Sequence, residues 1–367
     1  MKIRGVNLGN WLVLEKWMKK DMFRDTEAED ETYLCKNLSA EEKKRRYEEH
    51  RRTYITREDF RKIAEAGFNA VRIPVPYFLF EDFEPFIHCY EFLDEAFNWA
   101  EQYKLKILVD LHTVPGSQNG SDNSGLCGVC TWSTKEEYLN TTLDVLEKIA
   151  VRYGTKESLW GIEVLNEPMC NDTPAGKYLN IEVLGQLYHP ADPEMAKDNT
   201  NYPLSYLQDF YRSAYGRIRK HMPKEKAVVF SDAFFLEGWE DFFKEPIFEN
   251  IVLDTHQYLA MMGIDFNSEK TVEMYTDRLE KLEEKLAVLA EKIPVIVGEW
   301  SLSNEAADHT ADDGKAEVFR QIYRAYRKAI DVCEGWFYWS YKLENDAPDI
   351  LPWDMRKCLE NEWVTMD

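Results

Sequence analysis

The chain has 367 residues, 44% hydrophobic and 14% aromatic, which supports a large core, and an α/β barrel of this length can form one domain. Lysine and arginine number 45 against 67 aspartates and glutamates, a net charge of −22 that disfavours nucleic acid and anionic membranes as partners. No apolar run approaches the length of a membrane span.

A strand-like run at residues 3–7 begins directly after Met1-Lys2, without the apolar segment and cleavage site of a secretory signal. A cytoplasmic protein is expected if the chain is complete, and a secreted one if a leader was removed. Residues 16–54 are charged and read as helical over 40–52. A helix is expected at 56–66, with Thr56 as its cap and Asp59 in the first turn. Then come a strand at 68–73, a helix at 91–103, a strand at 106–111, a helix at 135–153 and a strand at 161–166. Residues 171–203 read as a loop with several Asn, Pro and Tyr. A helix at 204–221, strands at 227–231 and 251–255, a helix at 272–292, a strand at 295–298, a helix at 316–332 and a strand at 335–339 complete the order.

Short β-branched strands alternating with amphipathic helices are the pattern of a parallel sheet with crossover helices, and eight such units close a (β/α)8 TIM barrel. The expected organisation is one catalytic domain over 1–367. Segments 16–54 and 171–203 exceed what barrel connections need and follow strand ends, so they are expected to shape a cleft as insertions in the βα loops. Seven cysteines at irregular spacing argue against a disulfide framework. Cys127-x-x-Cys130 has no companion pair or His cluster, so no metal and no cofactor are expected.

Two carboxylates stand out. Glu167 closes Trp160-Gly161-Ile162-Glu163-Val164-Leu165-Asn166-Glu167-Pro168, and Glu299 closes Pro294-Val295-Ile296-Val297-Gly298-Glu299-Trp300. Each ends a strand-like run at what would be the catalytic rim of a barrel, so the two can converge on one bond, as glycoside hydrolysis requires.

The runs Gly5-Val6-Asn7-Leu8-Gly9-Asn10-Trp11, Asn69-Ala70-Val71-Arg72-Ile73-Pro74, Asp110-Leu111-His112, Asp122-Asn123-Ser124-Gly125, Asn166-Glu167-Pro168, His256-Gln257-Tyr258, Gly298-Glu299-Trp300 and Trp336-Phe337-Tyr338-Trp339-Ser340 resemble glycoside hydrolase family 5. Within it they are most similar to the exo-β-1,3-glucanase branch. The resemblance implies Glu167 as acid/base and Glu299 as nucleophile of a retaining mechanism. It implies Arg72 as the cation that keeps Glu299 ionised and depresses its pKa, Asn166 as donor to the sugar 2-hydroxyl, and Tyr258 as donor to the nucleophile. His112 and His256 become polar groups around sugar and acid, Trp339 the platform under the ring, and Glu15 and Asn123 holders of the terminal glucose hydroxyls.

The chain departs from that branch where Ser121 and Met261 replace two phenylalanines that clamp the next sugar, and where Thr113-Val114 replaces Gly-Ala. The implied function is retaining, exo-acting hydrolysis of β-1,3-glucan or its oligosaccharides. Alternatives are a β-1,4-glucanase (cellulase) or a broad β-glucosidase on oligosaccharides and, outside enzymes, a catalytically silent glycan-binding barrel. A silent barrel would be expected to have lost a carboxylate or Arg72, and all are present. An aldolase would need a Schiff-base Lys at a strand end, and none is found there.

Overall fold

The computed structural model describes residues 2–178, 181–190, 192–259, 270–345 and 347–366, without the side chains of 178, 181, 182 and 184. Eight strands, β1 (Ile3–Asn7), β2 (Ala70–Val75), β3 (Lys106–Leu111), β4 (Leu159–Glu163), β5 (Ala227–Ser231), β6 (Ile251–His256), β7 (Val295–Glu299) and β8 (Gly335–Tyr338), form a closed barrel in chain order. Every neighbouring pair is parallel, and β1 closes the ring by pairing with both β2 and β8. The expected (β/α)8 architecture is present. The strands are covered on both faces, which is why they read as near-continuous apolar runs.

The barrel interior shows why the site sits at one end. Ile3, Ala70, Leu108, Ala227, Val229, Val252, Ile296 and Phe337 form one buried cluster. Side chains two residues apart on a strand share a face. One step further along the same faces stand Arg72 after Ala70, Asp110 after Leu108, Ser231 after Val229 and Asp254 after Val252, all buried. An apolar plug is therefore overlain by a layer of charge near the strands' carboxyl-terminal ends. Gly5 makes room for the plug, since a Cβ there would stand 2.3 Å from the Phe337 ring.

The helices follow the expected order with small shifts. Arg57–Glu65 is capped by Thr56 in a reciprocal capping box with Asp59, and the last long helix, Asp312–Ile330, begins four residues earlier than 316. Trp300, Tyr326, Trp336 and Tyr338 pack against one another outside β7 and β8. No helix among the described residues is long and apolar enough to cross a membrane.

Three expectations need correction. The second strand runs Ala70–Val75, two residues later than read, because Pro74 is accommodated within it, opposite Asp110. The fourth ends at Glu163, but Val164 N still bonds Val229 O and Asn166 N still bonds Leu111 O, so the chain stays near the rim up to the bend before Glu167. Segment 171–203 is not only loop, since it holds helices Pro174–Tyr178 and Ile181–Leu187.

Candidate active site

A pocket of about 420 Å³ opens at the carboxyl-terminal rim. Seven of the ten residues expected to make the site line it: Glu15, His112, Asn123, Glu167, Tyr258, Glu299 and Trp339. The other three, Arg72, Asn166 and His256, are buried beneath and beside them.

Arg72 is the hub. Its Nη1 donates to Glu299 Oε1 at 2.8 Å and to Asn7 Oδ1 at 3.0 Å, and its Nη2 donates to Asn166 Oδ1 at 2.8 Å. Its Nε and Nη2 grip Glu163 in a fork, 2.7 and 2.9 Å, and Asp110 Oδ2 lies 3.1 Å away. A planar guanidinium with five fixed donors is the side chain that can tie four strands in this way. Burial alone would lower its pKa, but Asp110, Glu163 and Glu299 hold it well above the ordinary value. Glu163 is likewise raised, well above the carboxylate range, by burial that outweighs the pull of Arg72.

Glu299 is the last residue of β7, fixed by Arg72 on one oxygen and by Tyr258, whose hydroxyl donates to Oε2 at 2.7 Å. Gly298 before it permits this placement. A Cβ there would lie 1.9 Å from the Asp254 carboxylate, which accepts the Gly298 N–H at 2.6 Å. Burial pushes the Glu299 carboxyl above the usual range, while His256 and Arg72 draw it back. The expectation that Arg72 would leave this pKa depressed is therefore corrected, because desolvation outweighs the cation.

Glu167 occupies left-handed backbone, φ 44°, unusual for a residue with a side chain and of the kind concentrated at functional sites. Oε1 meets His256 Nδ1 at 2.7 Å, Oε2 accepts from Asn123 Nδ2, and its carbonyl accepts from Asn119 Nδ2 at 3.1 Å. Burial would raise its pKa, but the His256 hydrogen bond and charge hold it below the carboxylate range. For His256 burial works toward the neutral ring, and Glu299, Asp254 and Glu167 overcome it and raise the imidazole well above its usual value. Its Nδ1 is 3.4 Å from Glu299, so one imidazolium stands between the two carboxylates. One ligand atom from each of Glu167, His256 and Glu299 lies within 4.8 Å of the others, and the same holds for Glu163, Asp254 and His256. A metal would need a neutral imidazole, whereas His256 is held as a cation and Arg72 is already bound to Glu163, so these groups form an ion-pair network and do not fit a metal centre.

The remaining pocket wall combines acceptors with aromatic faces. His112 Nδ1 pairs with Asp110 Oδ2 at 2.6 Å, and its ring lies parallel to Trp339 with centroids 5.7 Å apart. Asn166 Nδ2 has no hydrogen-bond partner among the described residues. Glu15 Oε2 accepts from Trp17 Nε1 at 2.8 Å, and burial and Asp122 raise its carboxyl well above the ordinary range. Asn123 lines the pocket, and its amide donates to Glu167 Oε2.

Sequence reasoning missed Asp122, Trp17, Met169, Phe234 and Trp353, all of which line the pocket. Asp122 lies inside the run Asp122-Asn123-Ser124-Gly125 and Trp17 two residues after Glu15, so adjacency to Asn123 and Glu15 is the signal the sequence offers for them. Trp353 lies beyond the last strand, at the end of the 3-10 helix Pro348–Trp353, and packs edge-on to Trp17 at 5.5 Å. Of the tyrosines offered by 171–203, Tyr188 lines the pocket and donates to Asp122 Oδ1 at 3.1 Å. Tyr202 is buried, bonded to Met169 N and Gln118 O, and Tyr178 lies outside the described side chains. Ser121 lines the pocket, while Met261 lies outside the described residues.

A parallel barrel with two carboxylates facing each other at the carboxyl-terminal rim defines a class, the glycoside hydrolases. Comparison with known proteins gives the family. The model of the cellulase family, glycosyl hydrolase family 5, matches residues 35–343. A probable glucan 1,3-beta-glucosidase A of Emericella nidulans is 34% identical over 98% of this chain and 89% of its own length. A glucan 1,3-beta-glucosidase 2 of Candida albicans is 27% identical over 98% of this chain and 82% of its own. Among solved structures, rutinosidase from Aspergillus niger superposes with a TM-score of 0.77 at 23% identity, covering 99% of this chain and 97% of that one. This chain belongs to glycosyl hydrolase family 5 and is a glycoside hydrolase.

Proposed function

We propose that the protein removes glucose from the non-reducing end of β-1,3-linked glucan or oligosaccharide, with retention, through a glycosyl ester on Glu299. The observation that carries the mechanism is the approach of the Glu167 and Glu299 carboxylates, one oxygen of each within 4.8 Å. Retaining enzymes hold this pair about 5–5.5 Å apart, too close for a water to be activated between them as inversion requires. The names of the two glucosidase relatives support the linkage.

In this reading the terminal sugar lies on Trp339, its C–H face against the indole. Glu15, Asp122 and Asn123 take its outer hydroxyls. The Nδ2 of Asn166, without a partner among the described residues, donates to the 2-hydroxyl in this reading, a bond that strengthens as oxocarbenium character develops. Glu299, ionised against Arg72 and Tyr258, attacks the anomeric carbon as Glu167 protonates the departing oxygen. Before substrate binds, the proton for that step rests on His256, 2.7 Å from Glu167 Oε1, because the neighbouring carboxylates of Glu299, Asp254 and Glu167 stabilise the imidazolium. It moves to Glu167 when substrate covers the pocket. Water then opens the ester, with Glu167 now acting as base.

The test is a time-resolved product profile on laminari-oligosaccharides, cello-oligosaccharides and aryl β-glucosides. Glucose released stepwise from laminari-oligosaccharides, first as the β-anomer, is expected. Internal cleavage of cello-oligosaccharides in preference would replace this reading with the β-1,4-glucanase alternative, and binding without turnover would leave only a glycan-binding barrel.

A further inference from the structure

Glu15 follows β1, and Asp122 and Asn123 follow β3, yet three consecutive residues of the 16–54 segment are bonded to both loops. Glu31 Oε2 accepts from Leu14 N, the amide next to Glu15, at 3.1 Å. Thr32 Oγ1 donates to Gly125 O at 2.6 Å and Thr32 N donates to the same oxygen at 3.1 Å. Asp30 Oδ2 accepts from Cys127 N at 2.8 Å, while its Oδ1 accepts from Tyr33 N and starts the helix Glu31–Asn37. The next helix, Ala40–Thr53, holds the β1 loop from a second side: Trp11 Nε1 donates to Arg51 O at 2.8 Å and His50 Nε2 lies 2.7 Å from Asn10 O.

A solvated insertion would keep its acids in water. Asp30 and Glu31 are instead 2% and 1% exposed, and desolvation pushes the Glu31 carboxyl up to about 7. Burying two carboxyl groups is costly unless their oxygens are used, and here one oxygen of each, Asp30 Oδ2 and Glu31 Oε2, accepts from the backbone of the two loops that carry pocket acceptors.

We propose that Asp30, Glu31 and Thr32 are positioning residues that lock the Glu15 loop to the Asp122–Asn123 loop and thereby set how tightly the terminal sugar is held. The proposal rests on the sugar-binding role given above to Glu15, Asp122 and Asn123. Glu299 ends β7 and Glu167 follows β4, so the strap reaches the two carboxylates only through Asn119 and Asn123, which bond Glu167, and it governs affinity more than chemistry.

Glu31→Leu cannot accept from Leu14 N, and Thr32→Val cannot donate its side chain to Gly125 O. Each is paired with a conservative change, Glu31→Gln and Thr32→Ser, that keeps the bond. On an aryl β-glucoside with a good leaving group, the Leu and Val variants should raise KM about fivefold to tenfold, the worth of one well-placed hydrogen bond, with kcat within about twofold. The Gln and Ser variants should restore KM. Hydrogen exchange read by mass spectrometry should rise in both loops, residues 8–15 and 117–128, whichever bond is cut. Unchanged KM in both disruptive variants, failure of the conservative ones to rescue, or exchange confined to the loop that lost its own bond overturns the proposal. If Glu31→Leu does not fold, the Thr32 pair decides alone. If the unaltered protein hydrolyses no β-glucoside, the functional reading above fails, and the exchange experiment still decides the strap.

Discussion

Tyr258→Phe isolates one bond of the site. The phenol donates to Glu299 Oε2 at 2.7 Å, and the ring packs against Trp353 with centroids 5.2 Å apart, a contact that phenylalanine keeps. A hydrogen bond to a charged group is worth about 1.5–3 kcal/mol, and one pKa unit corresponds to 1.36 kcal/mol. Glu299 retains Arg72 at 2.8 Å and His256 at 3.4 Å, so the lower end applies and its pKa should rise by about one unit. The nucleophile must be ionised, and burial already places its carboxyl above the ordinary range. The acid limb of the kcat/KM profile should therefore move about one unit toward neutrality. The plateau should change by less than about tenfold, because the same bond stabilises the attacking charge that is lost in the transition state. The assay is initial rates on an aryl β-glucoside from pH 3 to 9. An unmoved acid limb with a displaced basic limb would refute Glu299 as the group that must be ionised.

Three further outcomes are expected. His256→Asn should lower the basic limb by about one to two units, because the proton must then sit on Glu167, and a carboxyl is intrinsically about two units more acidic than imidazolium; an unmoved limb in pH-rate measurements would mean that Glu167 alone holds it. Burial raises the Asp232 carboxyl to about 7, so its contribution to stability is complete below the unfolded value near 3.8 and is lost as pH rises through 7. Asp232→Asn should flatten the fall in Tm across that window relative to the unaltered chain, and parallel curves would refute the assignment. Ser121→Phe should raise the laminari- to cello-oligosaccharide ratio of kcat/KM by roughly tenfold, the worth of one aromatic contact; if Tyr188→Ala alters that ratio and Ser121→Phe does not, the 171–203 segment governs specificity.

The barrel was legible because eight apolar runs and their amphipathic partners carry it locally, and Glu167 and Glu299 were legible because a charge at the end of a buried run needs a reason. The polar layer was harder to see. Asp110, Glu163 and Asp254 sit inside the strands, where a count of apolar residues passes over them, although each falls on the inward face once the period of two is set by Leu108, Gly161 and Val252. Burial decides the outcome for Glu299: its desolvation outweighs the pull of Arg72, so the carboxyl is raised and not depressed. Trp17, Tyr188, Phe234 and Trp353 meet only through the folding of four separate loops, and no local periodicity marks such a meeting. The strap of Asp30, Glu31 and Thr32 read as part of a charged surface segment, since burial of acids by tertiary packing leaves no trace in composition.

The most direct test of the mechanism is to trap the intermediate. A 2-deoxy-2-fluoro-β-glucoside with a good leaving group slows hydrolysis of the glycosyl ester, and peptide mapping by mass spectrometry locates the label. One fluoroglucosyl group per chain on the peptide containing Glu299 is expected, with Glu167→Ala giving a β-glycosyl azide when azide is supplied. A label on Glu167, or an α-azide from that variant, would contradict the assignment of the two carboxylates.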